Sequence, residues 1–425
     1  MKRYLFLLSA IVLIILAIWG GNYLLGSFGG GDGDGPEVGR DDRGVISVLP
    51  GGGFGAGGSS SGSGVATSTT GLTEEIIGFP VRPEGELGLI IDREVVDYAI
   101  EKGDSLVYIQ SSGQVNRLSE KGAEILSSVG ISNLRYARFS PDGKRIVVVF
   151  GSASAPQVSV FNVDEESWEP LFVAPTSNPV WAPNNYRLAY VIEEDGVSSL
   201  EIIDVGASNP RAQALVSLDV FDLEVSWKTS SELILSQRAT AYAPQDAFIY
   251  SISQRTIRPL FKSEPGLVHL WYPLIDQGVA FTSASSLRGG VFDLVGRDGR
   301  RAKRFSFVAL PREKCSFVQL PNLEISIDNP DYEEQIELVE AFLICAIPRD
   351  ASGYLNYDVP DDYWKGRVVG PEQIVKVSLY SGTYASVSGA TNGMFDATNI
   401  KVGHDVLYFI DKSDGRLYGL HFPTH

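Results

Sequence analysis

Seven β-rich stretches recur, mostly at intervals of about 40–50 residues with the last interval lengthened by an insertion, most of them a strand, a polar turn and a strongly apolar strand, and they predict an all-β fold. The fold class is a seven-bladed β-propeller, with six or eight blades as the neighbouring counts. Two further observations complete the layout. An apolar N-terminal run behind basic residues predicts a transmembrane helix, and a Gly/Ser-rich tract after it predicts a disordered linker. The expected division is a cytoplasmic N-terminus at 1–3, an anchor at 4–25, a flexible linker at 26–73 and the propeller at 74–425, with an insertion at about 323–342.

The anchor is "MKRYLFLLSAIVLIILAIWGGNYLLG". Lys2 and Arg3 precede an apolar run from Tyr4 to Trp19, which Tyr23, Leu24 and Leu25 extend toward the roughly 20 residues a bilayer requires. Asp32, Asp34 and Glu37 follow, so the basic flank stays inside and the rest of the chain faces outward. A cleaved signal peptide is the rival reading; Ala17, Ile18 and Trp19 fit a small-x-small site poorly, and Gly20 and Gly21 only loosely. No cysteine stands near the segment for lipidation. The expectation is a single-pass protein of the cell membrane with its C-terminal domain outside the cytoplasm.

From Ser27 to about Thr73 come "GGGDGDGPEVG", "PGGGFGAGGSSSGSG" and "VATSTTG", which bury too little apolar surface to offset the entropy of ordering. As a random coil this tether spans on the order of 35–40 Å.

Beyond it, the aligned stretches are "VVDYAIEKGDSLVYI", "LRYARFSPDGKRIVVV", "NPVWAPNNYRLAYVI", "LEVSWKTSSELILSQ", "VHLWYPLIDQGVAFT", "KCSFVQLPNLEIS" and "FDATNIKVGHDVLYFI". In most, a strand runs to an aromatic or apolar anchor (Ile100, Phe139, Trp181, Trp227, Trp271, Phe317, Ile400) before the turn. A second hairpin often follows, as in "YIQSSGQVNRL" and "YFIDKSDGRLYGL", giving about four strands per unit. Blades stacked face to face cover their inner strands on both sides, so "RIVVVF" and "RLAYVI" need not alternate. In "SPDG", Pro141 presets φ, Asp142 bonds nearby backbone and Gly143 accepts positive φ. A β-sandwich is the structural rival, although seven similar units suit one sandwich badly. "LGLIID" (Leu87 to Asp92) is placed to pair with the C-terminal "RLYGLHF" and close the ring, removing the exposed edges.

"FSPDGKRI" and "VWAPNNYRLAYV" resemble the TolB-type (PD40, WD40-like) propeller repeat, a degenerate likeness that implies fold alone. A second resemblance covers anchor, linker and propeller: membrane-anchored propeller proteins of small-genome candidate-phylum bacteria. It rests on "EKC" (Glu313 to Cys315), "LICAIP" (Leu343 to Pro348), "VPDDYWKG" (Val359 to Gly366) and "FDATNI" with "LYFIDKSDGRLYGL". The chain departs from that pattern by the acidic "NPDYEEQIELVEAF" between the two Cys motifs. The resemblance implies topology and no mechanism.

A formal net charge of -17 excludes nucleic acid as a partner class, because phosphate binding needs concentrated Lys and Arg. The basic "GRDGRRAKRF" reads as a solvated hairpin tip around an Asp-Gly turn. Cys315 and Cys345, both beyond the outward-facing anchor, read as a disulfide clamping the base of the insertion, with two buried free thiols as the alternative. The insertion reads as a short helix, Asn329 its N-cap and Pro330 its first residue, with Ile336, Val339 and Phe342 on one face.

The most distinctive loop is "YDVPDDYWKG", a possible partner-binding site through Tyr357, Asp358, Asp361, Asp362, Tyr363 and Trp364. A structural turn packing its aromatics inward is the alternative, and Ca²⁺ on the three carboxylates a third; no other metal or cofactor is expected. No catalytic residue stands out. The four His lack a Gly-x-Ser-x-Gly elbow, and P-loop and dinucleotide motifs are missing. The expected function is a protein-, peptide- or glycan-binding module at the cell envelope. A propeller hydrolase or lyase acting on surface polysaccharide, and a structural spacer, are the alternatives.

Overall fold

A computed structural model describes residues 87–101, 105–283, 289–318, 342–368, 370–387, 394–403 and 406–422. The anchor, the linker, the start of the domain at 74 and the insertion up to residue 341 lie outside them. No helix of the described residues is long and apolar enough to cross a membrane.

Seven four-stranded antiparallel sheets form the blades. Six follow the chain in order: blade 1 at 95–127, blade 2 at 134–171, blade 3 at 180–218, blade 4 at 223–265, blade 5 at 268–304 and blade 6 at 315–386. Blade 7 is composite. Its first three strands lie at 397–421, and its fourth is Leu87–Ile91, which pairs Leu87 with Leu420, Gly88 with Gly419 and Leu89 with Tyr418. The closing strand expected at Leu87 is therefore in place.

The anchors expected at the end of each first strand fall where the repeat puts them. Ile100, Phe139, Trp181, Trp227 and Phe317 end theirs, while Trp271 and Ile400 stop one and two residues short. Gly143 has φ +75°, as its corner of the turn requires.

Packing explains the unbroken apolar strings. In the second strand of blade 2, Ile146 and Val148 join a cluster with Val107 and Ile109 of blade 1. The alternate residues Val147 and Val149 join a different cluster with Leu188 and Tyr190 of blade 3. Blade 6 repeats the division: Leu343 and Cys345 meet Val279 and Phe281 of blade 5, and Ile344 and Ala346 meet Leu407 and Phe409 of blade 7. Seven apolar clusters thus fill the seven interfaces between neighbouring blades, and the last joins Tyr408 and Ile410 of blade 7 to Leu106 and Tyr108 of blade 1.

Antiparallel order gives the ring two unlike faces. First strands begin at one face, here the upper, which carries the connections between blades and the second-to-third turns. The lower face carries the first-to-second and third-to-fourth turns. On the lower face a cation of one blade reaches an aromatic ring of the next: Arg145 lies 4.3 Å from the Tyr186 ring, Arg187 5.5 Å from Trp227 and Lys228 5.0 Å from Trp271. Asp142, in the turn before Arg145, accepts the Tyr186 hydroxyl of blade 3 at 2.5 Å. This turn joins blades.

Cys315 and Cys345 form the disulfide, as directly opposed residues of the first and second strands of blade 6. Phe342 departs from expectation. It opens the strand Phe342–Pro348, opposite Ser378, because continued ladder pairing offers its backbone more partners than a helix end would.

The disulfide spans 30 residues of sequence, for which loop-closure entropy gives about 3 kcal/mol. Replacing both cysteines with Ala is expected to lower the unfolding free energy by about that amount in urea titrations, with unchanged β-sheet circular dichroism.

Candidate binding face and channel

The upper face is where the repeat is broken. Ahead of blade 6 stands the short helix α1 (Pro311–Lys314), and its second-to-third connection, 349–371, carries the helix α2 (Asp361–Trp364) behind a cis Val359–Pro360 bond. This connection holds every residue singled out in "YDVPDDYWKG". It lies across blades 4 to 7. Asp361 accepts the Ala241 backbone N–H at 2.7 Å and the Thr240 hydroxyl at 3.1 Å, both from blade 4. Asp358 accepts the Tyr242 hydroxyl at 3.1 Å, and the Val359 carbonyl accepts the Ser283 hydroxyl of blade 5. Asp362 pairs with Arg367 at 3.1 Å and accepts the Asp358 N–H at 2.9 Å.

The three carboxylates are thus turned to separate protein donors, which is a poor start for a shared cation. Among the described residues, no group of three or more His, Cys, Asp or Glu side chains is arranged to hold a metal ion. The aromatics point inward. Tyr363 is buried and Tyr357 and Trp364 are half-buried, all packed on the cluster between blades 5 and 6. The Trp364 indole donates to Glu313 at 3.1 Å. Of the six residues, Asp358 alone is exposed.

Beneath α2 lies a buried ionic group. Lys314 is fully buried, pairs with Glu372 at 2.6 Å and with Asp396, and donates to the Ala397 carbonyl at 3.0 Å. Glu372 also accepts the Ala397 N–H at 2.9 Å, which ties blade 6 to the first strand of blade 7. Burial pushes the Glu372 carboxyl up to about 7, with Asp396 adding to the rise and Lys314 opposing it. Lys412 donates to the Tyr363 carbonyl at 2.8 Å and lies 3.6 Å from that ring. Lys314 is held by two carboxylates and a carbonyl, and Lys412 by the Tyr363 carbonyl, so the group ties blade 6 to blade 7.

First strands of neighbouring blades approach one another, and polar side chains on and beside them reach from blade to blade. His269 of blade 5 is buried, with Nε2 3.4 Å from the Ser236 hydroxyl, and burial, with the nearby Arg312 cation, lowers it to about 3. Arg312 crosses blade 5 to reach Glu224 of blade 4 at 2.5 Å, while Arg138 of blade 2 passes blade 1 to reach Asn399 of blade 7 at 3.1 Å. These residues were not singled out from the sequence. The alternation Tyr136, Arg138 against buried Ala137, Phe139 is the signal that marks such a strand.

Exposed apolar side chains are distributed unevenly. Val129, Phe172, Phe221 and Met394 lie in connections between blades, and Val197, Tyr242 and Leu355 at second-to-third connections, so seven of the twelve large exposed hydrophobics among the described residues are on the upper face. Leu274 and Tyr380 lie on the lower face, and the remaining three sit on outer strands. Phe172 is 97% exposed. Their phase in the repeat was readable, since polar turn residues are expected there.

Glu372 and His269 make opposed predictions. The Glu372 carboxyl sits above its ordinary value of 4.5, so it favours folding below 4.5 and loses that contribution as pH rises through about 7. His269 sits below its ordinary 6.5, so its contribution is complete above 6.5 and is lost as pH falls toward 3. Between pH 4.5 and 6.5 the two offset each other. In that window Glu372→Gln is expected to lose stability on acidification and His269→Gln to gain it, each by up to about 1.4 kcal/mol per pH unit, read from urea midpoints.

No family model matches the chain, and no curated protein matches it. Solved structures do. An oligogalacturonate lyase in complex with manganese has a TM-score of 0.50 at 10% identity, covering 81% of this chain and 99% of that one. The oligogalacturonate lyase of Vibrio parahaemolyticus has a TM-score of 0.50 at 9% identity, covering 80% and 99%. A prolyl endopeptidase has 0.48 at 14% identity, covering 78% of this chain and 50% of that one, so the chain spans about half the length of that enzyme. At these identities the likeness is one of fold: the chain is similar to propeller proteins in its β-propeller.

Proposed function

We propose that this chain is a binding module, held at the cell envelope by its N-terminal apolar segment, that docks a polypeptide partner on the upper face of the propeller. The observation that carries the reading is the uneven distribution of exposed apolar side chains. Phe172, Phe221 and Tyr242 stand on connections fixed at their ends by rigid blades, which suits them to act as preorganised anchors. Large apolar side chains gathered on one face favour a partner that buries them. The resemblance to membrane-anchored propellers and the basic-then-apolar start "MKRYLFLL" support the tether.

The loop around Trp364 enters this reading in a supporting role. Its aromatics brace the platform from beneath, and Asp358 with Tyr242 contributes the polar part of the rim. A lyase or hydrolase reading draws on the similar solved structures, which supply fold alone, and no arrangement of described residues favours it.

Photo-crosslinking groups placed at Phe172, Phe221 and, on the opposite face, Tyr380 test the proposal on intact cells. Polypeptide adducts are expected from the first two positions and not from the third. Phe172→Asp with Phe221→Asp is expected to reduce capture by at least about tenfold with stability changed by less than about 0.5 kcal/mol. Equal crosslinking from both faces, or adducts of glycan in place of polypeptide, contradicts it.

A further inference from the structure

Positive charge is gathered on one part of an acidic molecule. Residues 255–304 carry nine Lys and Arg against four Asp and Glu, in a chain that has 35 against 52 overall. Arg288 lies outside the described residues. The others stand on the outer wall of blades 4 and 5, on the fourth strands Thr256–Pro265 and Arg301–Arg304 or in the turns that lead into them.

The carboxylates of the segment are too few to balance this wall. Asp293 is shared by Arg301 at 3.0 Å and Arg304 at 2.9 Å, and Asp276 by Arg297 at 2.8 Å and the buried Lys228. Glu264 takes Arg301 a second time at 2.7 Å, and Asp298 takes Arg300 at 3.1 Å. Among the described residues no carboxylate pairs with Arg255 or Lys262, and both are exposed.

The excess borders a cavity. An open groove of about 650 Å³ is lined by residues 259–262 and Glu264 of blade 4 and by residues 299–301 of blade 5. Its two sides are fixed to each other. Gly299, at φ +81°, sits so close to blade 4 that a Cβ would meet the Leu260 carbonyl, and the Arg301–Glu264 pair crosses the same seam. The basic turn is therefore seated against its neighbour, where the sequence suggested a solvated tip.

The shape of the groove selects among anions. A bilayer is flat and does not enter it. A sugar ring favours an exposed aromatic face, and the Phe261 ring is buried. An extended polypeptide with spaced carboxylates fits, because a guanidinium and an ammonium on long side chains can reach them. Pro259 makes this outer strand a poor ladder partner, so recognition runs through side chains.

We propose that the groove between the outer strands of blades 4 and 5 docks an acidic polypeptide segment of a partner protein. Lys262, which has no carboxylate of its own, and Arg300, whose side chain is 88% exposed, meet its carboxylates, and the surrounding excess charge attracts it. The site uses no residue of the apolar platform, so either reading can fail without the other.

Fluorescence anisotropy of the full chain in neutral detergent tests the inference with three labelled probes: a peptide of alternating Glu and Ser, its Gln and Ser twin, and a hyaluronate oligomer of matched charge. The acidic peptide is expected to bind saturably and at least about tenfold more tightly than either of the others. Lys262→Glu with Arg300→Glu is expected to weaken that binding at least about tenfold with an unchanged melting temperature. Lys121→Glu with Arg211→Glu makes the same change of net charge at exposed positions of blade 1 and before the fourth strand of blade 3, and is expected to leave binding as in the parent. The inference is overturned if the peptide binds no better than its twin, if hyaluronate binds as tightly, or if the two double variants weaken binding alike.

Discussion

Every blade of this protein shares its core with two others, and the rest of the structure depends on that constraint. Alternate residues of each second strand belong to different clusters, so a single sheet has no interior of its own. A linear stack would leave two apolar faces in water. The chain avoids this by completing blade 7 with Leu87–Ile91, which brings Ile90 and Ile91 into the same cluster as Tyr98, Leu106 and Tyr408. Burying each of these isoleucines contributes about 1.5–3 kcal/mol, and the Tyr98 hydroxyl adds bonds to the Tyr408 and Asn399 carbonyls at 2.8 and 2.7 Å.

Closure also separates the two faces in character. The lower face is where blades are locked together, by cations reaching rings and by Asp142 reaching Tyr186. The upper face carries the irregular parts: α1, α2, the long connection of blade 6 and, among the described residues, most of the large exposed apolar side chains. Blade 6 tolerates that irregularity because it is fastened three ways, by the disulfide, by Lys314 with Glu372 and Asp396, and by Asp361 reaching across to blade 4. Rigid blades with irregular connections are the arrangement on which binding surfaces are commonly built.

Much of the fold was legible in the sequence because local rules and the repeat agree. Trp181 and Trp227 end their strands where the alignment puts them, and each indole donates to the first strand of the preceding blade, at Arg138 and Val180. The closing strand and the disulfide were legible for the same reason, since each is a consequence of repeat phase. What escaped was long-range direction. Composition shows that Asp361, Tyr363 and Trp364 are clustered, but only the folded chain shows that the acid faces Ala241 and the rings face the core. Phe342 escaped likewise, because helix propensity in an acidic segment was outweighed by a ladder with its partner strand nearly 40 residues on, at Ser378. The cross-blade arginines required knowing which blades lie within reach of one another.

Amide hydrogen exchange across the closing seam tests the central claim, that the ring is one cooperative unit sealed by its N-terminal strand. The account predicts that the bonded amides joining Leu87–Ile91 to Leu417–His421 exchange as slowly as those of Arg145–Ser152 in blade 2, through the same global opening. Exchange at the seam at the rate of a frayed end, with blade 2 still protected, would contradict it.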